Sequence, residues 1–172
     1  MLRLKADMRQ VTFLAALVLS AGSSRGADIG GLITSTVTIS EDSQLVDDVT
    51  CAVPGAACIV IGASRVRLDL NGFTMTGQAD PEIACNGSSI AGEIGISIVR
   101  QTGVVIRGPG LLQRFRNFGI VLNGAAGSSI TDVTVSTTCM SGIFLTGGSS
   151  DNQLDSNVSV RSGHMSLPCG GI

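Results

Sequence analysis

From Val104 onward the apolar residues come in short alternating bursts, and the bursts recur at a fixed interval. Ile106, Ile130 and Leu154 are evenly spaced, at a period of about 24 residues, which is within the range of solenoid repeats. Gly119-Ile120-Val121-Leu122 returns at nearly the same interval as Gly142-Ile143-Phe144-Leu145, and Gly171-Ile172 starts it again. Within a burst, Ile120 and Leu122 fall on one side of an extended strand and Val121 on the other. Val133 and Val135, Ile143 and Leu145, and Val158 and Val160 keep the same alternation, the rhythm of strand side chains. The intervening stretches, 123–129 and 146–152, are rich in Gly, Asn, Asp and Ser. These residues accept positive φ or bond their own backbone, and so turn the chain. A repeat of strands and turns with this period predicts an all-β solenoid in which each strand pairs with its counterpart one coil on. An antiparallel sandwich also has short strands and Gly-rich turns, but it does not require Ile106, Ile130 and Leu154 to recur in register.

The pattern changes upstream. Arg3, Lys5 and Arg9 precede an apolar run from Val11 to Gly22. That run has the length of a signal-peptide core and is too short to span a bilayer. Ser24 and Gly26 supply small residues at the −3 and −1 positions of a cut after Gly26. Residues 1–26 are therefore expected to be an export signal, placing the protein outside the cytoplasm: secreted, periplasmic or at the cell surface. The competing reading is a buried first helix, on which the basic flank would be wasted. Residues 27–50 are expected to form an N-terminal cap. It has a β-branched strand at 33–39 and an acidic turn at 40–43 that shield the first coil's edge.

Residues 51–172 carry the repeats. Val66, Leu68 and Leu70 alternate, Asn71-Gly72 is a tight-turn dipeptide, and Phe73 and Met75 resume the alternation. The run Arg67-Leu68-Asp69-Leu70-Asn71-Gly72-Phe73-Thr74-Met75-Thr76-Gly77 resembles the first coil of secreted right-handed parallel β-helix repeat proteins, the pectate-lyase-like superfamily. Val104-Val105-Ile106-Arg107-Gly108-Pro109-Gly110 is similar to that family's second coil, and Phe115-Arg116-Asn117-Phe118-Gly119-Ile120 to its return strand. The resemblance covers 49–172. It implies a right-handed parallel β-helix of about four coils. It says little of activity, since the superfamily holds lyases, hydrolases, epimerases and surface proteins. Calcium enters only through this resemblance.

Two insertions break the period. The first falls in 78–93 and holds Asp80, Glu82, Cys85 and Glu93; the second falls in 163–170 and holds His164, the only histidine. Loops inserted into a solenoid project from one face, often the binding face. The chain stops just inside a new strand. The expectation is that a longer frame continues the coils; the alternative is self-association through an uncapped C-terminal coil.

A net charge of −2 removes the basic footprint of a nucleic-acid binder, and with five Phe and no Trp or Tyr there is no aromatic platform for bases or sugars. Of five cysteines, Cys51 and Cys58 flank a Pro-Gly turn, and Cys139 and Cys169 each precede a Gly-Ile strand. Both pairs are disulfide candidates in an oxidising compartment, with stacked free thiols as the alternative. One histidine and no Cys-x₂-Cys pair argue against zinc. Candidate ligand-facing residues are Arg107, Arg114, Arg116, Asp132, Asp155 and His164. Stacking is expected to align Asp132 with Asp155 and with Arg107, as a carboxylate site for polysaccharide cleavage or as an exposed charge ladder. Arg114 and Arg116, with Arg107 and Arg100, are expected to form a groove for an anionic glycan or to be plain surface polar residues. Asn86 and Asn157 head glycosylation sequons. No catalytic constellation is identified. Two functional readings follow: a secreted β-helix that interacts with polysaccharide, as part of a polysaccharide-active enzyme, or a non-catalytic surface or structural solenoid.

Overall fold

The computed structural model describes residues 26–79 and 92–163. Described residues form strands and turns, with no helix. The chain passes back and forth between two sheets whose paired strands all run parallel. The larger contains β1 (Asp28–Ile33), β3 (Ser43–Cys51), β5 (Arg67–Asp69), β8 (Val105–Gln113), β10 (Ser129–Ser136) and β12 (Gln153–Asp155) in that order. Beside this path, β6 (Thr74–Thr76) pairs with β3 and β8, and β13 (Val158–Val160) pairs with β10. The smaller sheet stacks β2 (Val37–Ile39), β4 (Ala57–Ile61), β7 (Ile94–Val99), β9 (Ile120–Asn123) and β11 (Ile143–Thr146). This arrangement is consistent with a parallel β-solenoid.

The registers match the repeat read from the sequence. Ile130 lies between Ile106 and Leu154, and Ile143 pairs with Ile120. Aliphatic side chains therefore stack in columns between the sheets. Leu68, Ile106, Ile130 and Leu154 form one column, with Ser43 at its N-terminal end. Val49, Met75, Leu112 and Val135 form another. Val37, Ile59, Ile96, Ile120 and Ile143 line the smaller sheet. Most of these are fully buried, and each buried aliphatic contributes about 1.5–3 kcal/mol. Phe115 is the largest fully buried side chain among the described residues, and Gly95 leaves it room: a Cβ there would meet the Phe115 ring at 3.0 Å.

The strand expected at 33–39 is divided. β1 ends at Ile33 and β2 begins at Val37; β1 pairs with β3 and β2 with β4. Residues 28–50 thus contribute strands to both sheets. The insertion after Gly77 leaves the ladder in register, since Leu68 pairs with Ile106 although the whole insertion lies between them in the chain.

Corners repeat as strictly as strands. Left-handed backbone recurs at Arg100, Gly124 and Gly147, at Gly103, Gly127 and Asp151, and at Arg114, Thr137 and Arg161. The Asn71-Gly72 turn is present, with φ of 50° and 84° and the Phe73 N–H donating to the Leu70 carbonyl at 2.9 Å. Cys51 and Cys58 form the expected disulfide, with Cα atoms 5.8 Å apart. Cys139 is buried and disulfide-bonded; Cys169 lies outside the described residues.

Substituting Ile130→Ala empties the middle of a stacked column and is expected to cost about 2–5 kcal/mol in chemical denaturation. Thr131→Ala, the next position along and outward-facing, is expected to stay within about 0.5 kcal/mol. Replacing Cys51 and Cys58 together by Ser is expected to cost about 2.5 kcal/mol from the short closed loop. Equal effects of Ile130→Ala and Thr131→Ala would contradict the inward assignment of the column.

Candidate functional site

One step along each strand from the buried Leu68–Ile106–Ile130–Leu154 column, side chains point outward and also stack. Asp28 pairs with Gln44, Gln44 with Asp69, Asp69 with Arg107, Arg107 with Thr131, and Thr131 with Asp155. Parallel strands lie about 4.8 Å apart, so this polar column runs about 24 Å along the sheet. Its side chains link to one another and to their neighbours. Gln44 Nε2 donates to Asp28 Oδ1 at 2.9 Å, and Asn71 Nδ2 donates to Gln44 Oε1 at 3.2 Å. Arg67 Nε lies 3.5 Å from Asp69 Oδ1. Asp42 Oδ1 accepts the Arg67 N–H at 2.8 Å. At this end the surface dips into a cleft of about 440 Å³ lined by Gly26, Asp28, Asp42, Ser43, Gln44, Arg67 and Asp69.

Two expected site residues, Arg107 and Asp155, belong to this column, with Thr131 between them. Asp132 does not align with either. The register shifts between Thr131 and Val133: Thr131 pairs with Arg107, but Val133 pairs with Gly110. Gly108 and Pro109 of β8 thus together oppose Asp132 alone. Asp132 turns out at φ 57° and Thr131 takes its ladder place. This bulge also explains the slight shortening of the repeat: past it, ladder partners such as Leu112 and Val135 lie one place closer in the chain than Ile106 and Ile130 do before it.

The four arginines do not share one strand face among the described residues. Arg100 and Arg114 occupy left-handed corners at the ends of different strands, while Arg107 sits within β8. Arg114 Nε donates to the Ala79 carbonyl at 2.8 Å, and Arg116 Nη2 to the Gln78 carbonyl at 3.4 Å. Both side chains hold the base of the 78–93 insertion. The group that ties this base together is Glu93, which the sequence shows only as one acid among several. Its carboxylate accepts the Gln78 N–H at 2.8 Å and the Arg116 N–H at 3.0 Å, and Arg116 Nε lies 3.8 Å away. Burial pushes the Glu93 pKa above its usual range, while the two N–H bonds and the guanidinium oppose that rise. A lone Glu-Ile-Gly ahead of an apolar strand is the only signal of it in the sequence.

The Asn157 sequon is spent on the fold. Its Oδ1 accepts the Val133 N–H at 3.0 Å and its Nδ2 donates to the Ile130 carbonyl at 2.7 Å. Asn152 does the same for the Ser128 N–H and the Ala125 carbonyl. His164 and Asn86 lie outside the described residues. Among the described residues no group of three His, Cys, Asp or Glu side chains is placed to hold a metal ion.

No protein-family model matches the chain, and neither a curated protein nor a solved structure matches it.

The Glu93 pKa is raised by folding, so the folded state holds its proton more tightly than the unfolded chain. Its contribution is full below the unfolded pKa and is lost as pH rises through the folded one. Glu93→Gln keeps one acceptor and faces the other N–H with a donor. It is expected to cost about 1–3 kcal/mol, with the deficit against wild type largest at low pH and narrowing above the usual carboxylate range. Urea denaturation of both proteins over a pH series checks this; a deficit that widens with pH would reverse the assignment.

Proposed function

We propose that this chain is an exported right-handed parallel β-helix of about four coils, of the pectate-lyase-like kind, and that it binds polysaccharide along the outer face of its larger sheet. The observation that carries this reading is the continuous column from Asp28 to Asp155, which repeats at the ladder spacing. An extended polymer meets such a surface with hydroxyls at regular intervals, and the column answers with carboxylate, amide, guanidinium and hydroxyl groups. The disulfides support an oxidising compartment. No helix among the described residues is long and apolar enough to cross a membrane.

The second reading, a non-catalytic surface solenoid, draws on a different observation. Asp132 turns out at the bulge, Arg114 and Arg116 bond the insertion's base, and Asp155 is separated from Arg107 by Thr131. Hydrolysis of a glycosidic bond requires two carboxyl groups set across it, and the register does not align Asp132 with Asp155. The two readings combine as binding without cleavage.

Affinity electrophoresis through gels cast with different soluble polysaccharides tests the proposal. Retardation by at least one is expected, weakened about threefold by Arg107→Ala, with no release of reducing ends or unsaturated products. Migration unaffected by every polymer would remove the binding reading, and product release would restore the enzyme.

A further inference from the structure

We infer that an uncharged track on the outer face of the larger sheet seats a neutral polysaccharide, its sugar rings lying on threonine and aliphatic side chains. This deepens the polysaccharide reading and rests on it. The buried column Val49–Met75–Leu112–Val135 is flanked in the chain by outward positions that stack in the same register. On one side Leu32, Thr50, Thr76, Gln113, Ser136 and Val160 follow one another from β1 to β13. On the other side Thr74, Leu111, Thr134 and Val158 do the same. The longer column extends about 24 Å along the sheet, and the two columns stand about 7 Å apart. Neither column holds an ionisable side chain. Charges only border them. Asp48 accepts the Thr74 N–H, and Arg114 and Arg161 occupy the left-handed corners that follow Gln113 and Val160.

Two features give the chemistry of the occupant. Apolar groups are left in water: Leu32 is 67%, Val158 49% and Val160 44% exposed. Hydroxyls are interleaved with them. Gln113 Nε2 donates to Thr76 Oγ1 at 3.1 Å, but among the described residues the hydroxyls of Thr50, Thr74 and Thr134 bond no other side chain. A pyranose ring has the same mixed chemistry, an apolar C–H face rimmed by hydroxyls. Covering the track with such rings removes apolar surface from water while the hydroxyls keep partners. A purely apolar occupant would strand those hydroxyls. A uronate or an amino sugar would bring an ionised group to a track that returns no opposite charge. Across the bulge, the polar column offers donors and acceptors that the hydroxyls of a neutral polymer also match, so both columns admit one ligand.

The test titrates the full chain with glucose, galacturonate and glucosamine oligomers of equal length in a calorimeter. The glucose oligomer is expected to bind at least about fivefold more tightly than either charged one, and its affinity is expected to hold as salt is raised. Thr50→Glu and Thr134→Glu each set a charge into the track and are expected to weaken glucose binding about tenfold. Leu32→Ala is expected to weaken it about threefold. Unchanged thermal midpoints confirm the fold; where a glutamate lowers the midpoint, Leu32→Ala decides, because that side chain is mostly in solvent. Equal or tighter binding of a charged oligomer, or glucose binding indifferent to the substitutions, overturns the neutral-track assignment alone. So does a glycan-free dimer in sedimentation that Thr134→Glu dissociates, since a second copy then covers the track. Absence of binding to any glycan, here and in the polysaccharide gels, overturns the underlying reading with it.

Discussion

A strand in this protein finds its hydrogen-bond partners about one coil away, never beside it in the chain. Every backbone N–H and C=O must therefore be matched by the coil above or below, and a buried group left unmatched costs as much as a lost bond. Along most of each strand the ladder does this unaided. At corners, strand starts and the β10 bulge it fails, and side chains complete it. Asp42 and Asp48 accept the Arg67 and Thr74 N–H groups, Ser64 and Ser128 accept those of Thr102 and Val104, and Asn152 and Asn157 accept those of Ser128 and Val133. Glu93 performs the same task for Gln78 and Arg116 around the insertion.

This requirement explains which parts of the structure are legible in the sequence. Inward columns need large aliphatics at one fixed spacing, so Ile106, Ile130 and Leu154 announce their own pairing. Turns need Gly, Asn and Asp, so Asn71-Gly72 is legible too. Corners are harder, because a left-handed corner is set by its neighbours in the stack as much as by its own residue. Arg100 stacks on Gly124 and Gly147, and Thr137 is held between Arg114 and Arg161. A left-handed backbone is costly for Thr, and nothing local signals it. The bulge at Asp132 is hidden for a related reason: one extra residue in β8 changes the alignment by a single place, and only the two-strand register reveals it.

The candidate site is less legible than the fold. Spacing links Arg107 and Asp155 only through Asp132; the two do share a face, but Thr131 and not Asp132 stands between them. Alternation puts Arg114 and Arg116 on one face of a strand that would continue β8. But β8 ends at Gln113, and beyond it the two side chains turn to the carbonyls of Ala79 and Gln78. The cleft escapes a reading by repeats because Asp28, Gln44 and Asp69, one column across β1, β3 and β5, are unequally spaced in the chain, and Asp42 joins them from the turn before β3. In the sequence Asp42 reads as part of a cap turn and Asp69 as part of a fold motif. Both readings describe their local role and leave their meeting in one cleft out of account.

The same ladder that fixes the core leaves the outer face free to vary. Inward residues are constrained by the columns above and below, corners by backbone bonds, and the insertion's base by Glu93. Outward positions on the larger sheet answer to none of these, apart from the pitch at which they stack. Polar groups at Asp28, Gln44, Asp69, Thr131 and Asp155 make only local links there, to one another and to Asn71, Arg67, Ser129 and Ser156. An unbroken run of polar positions in one column stands beside a core that is almost wholly aliphatic, as alternation along solvent-facing strands requires. The proposed binding surface lies on this sheet face, and the corners and the insertion base hold it in shape.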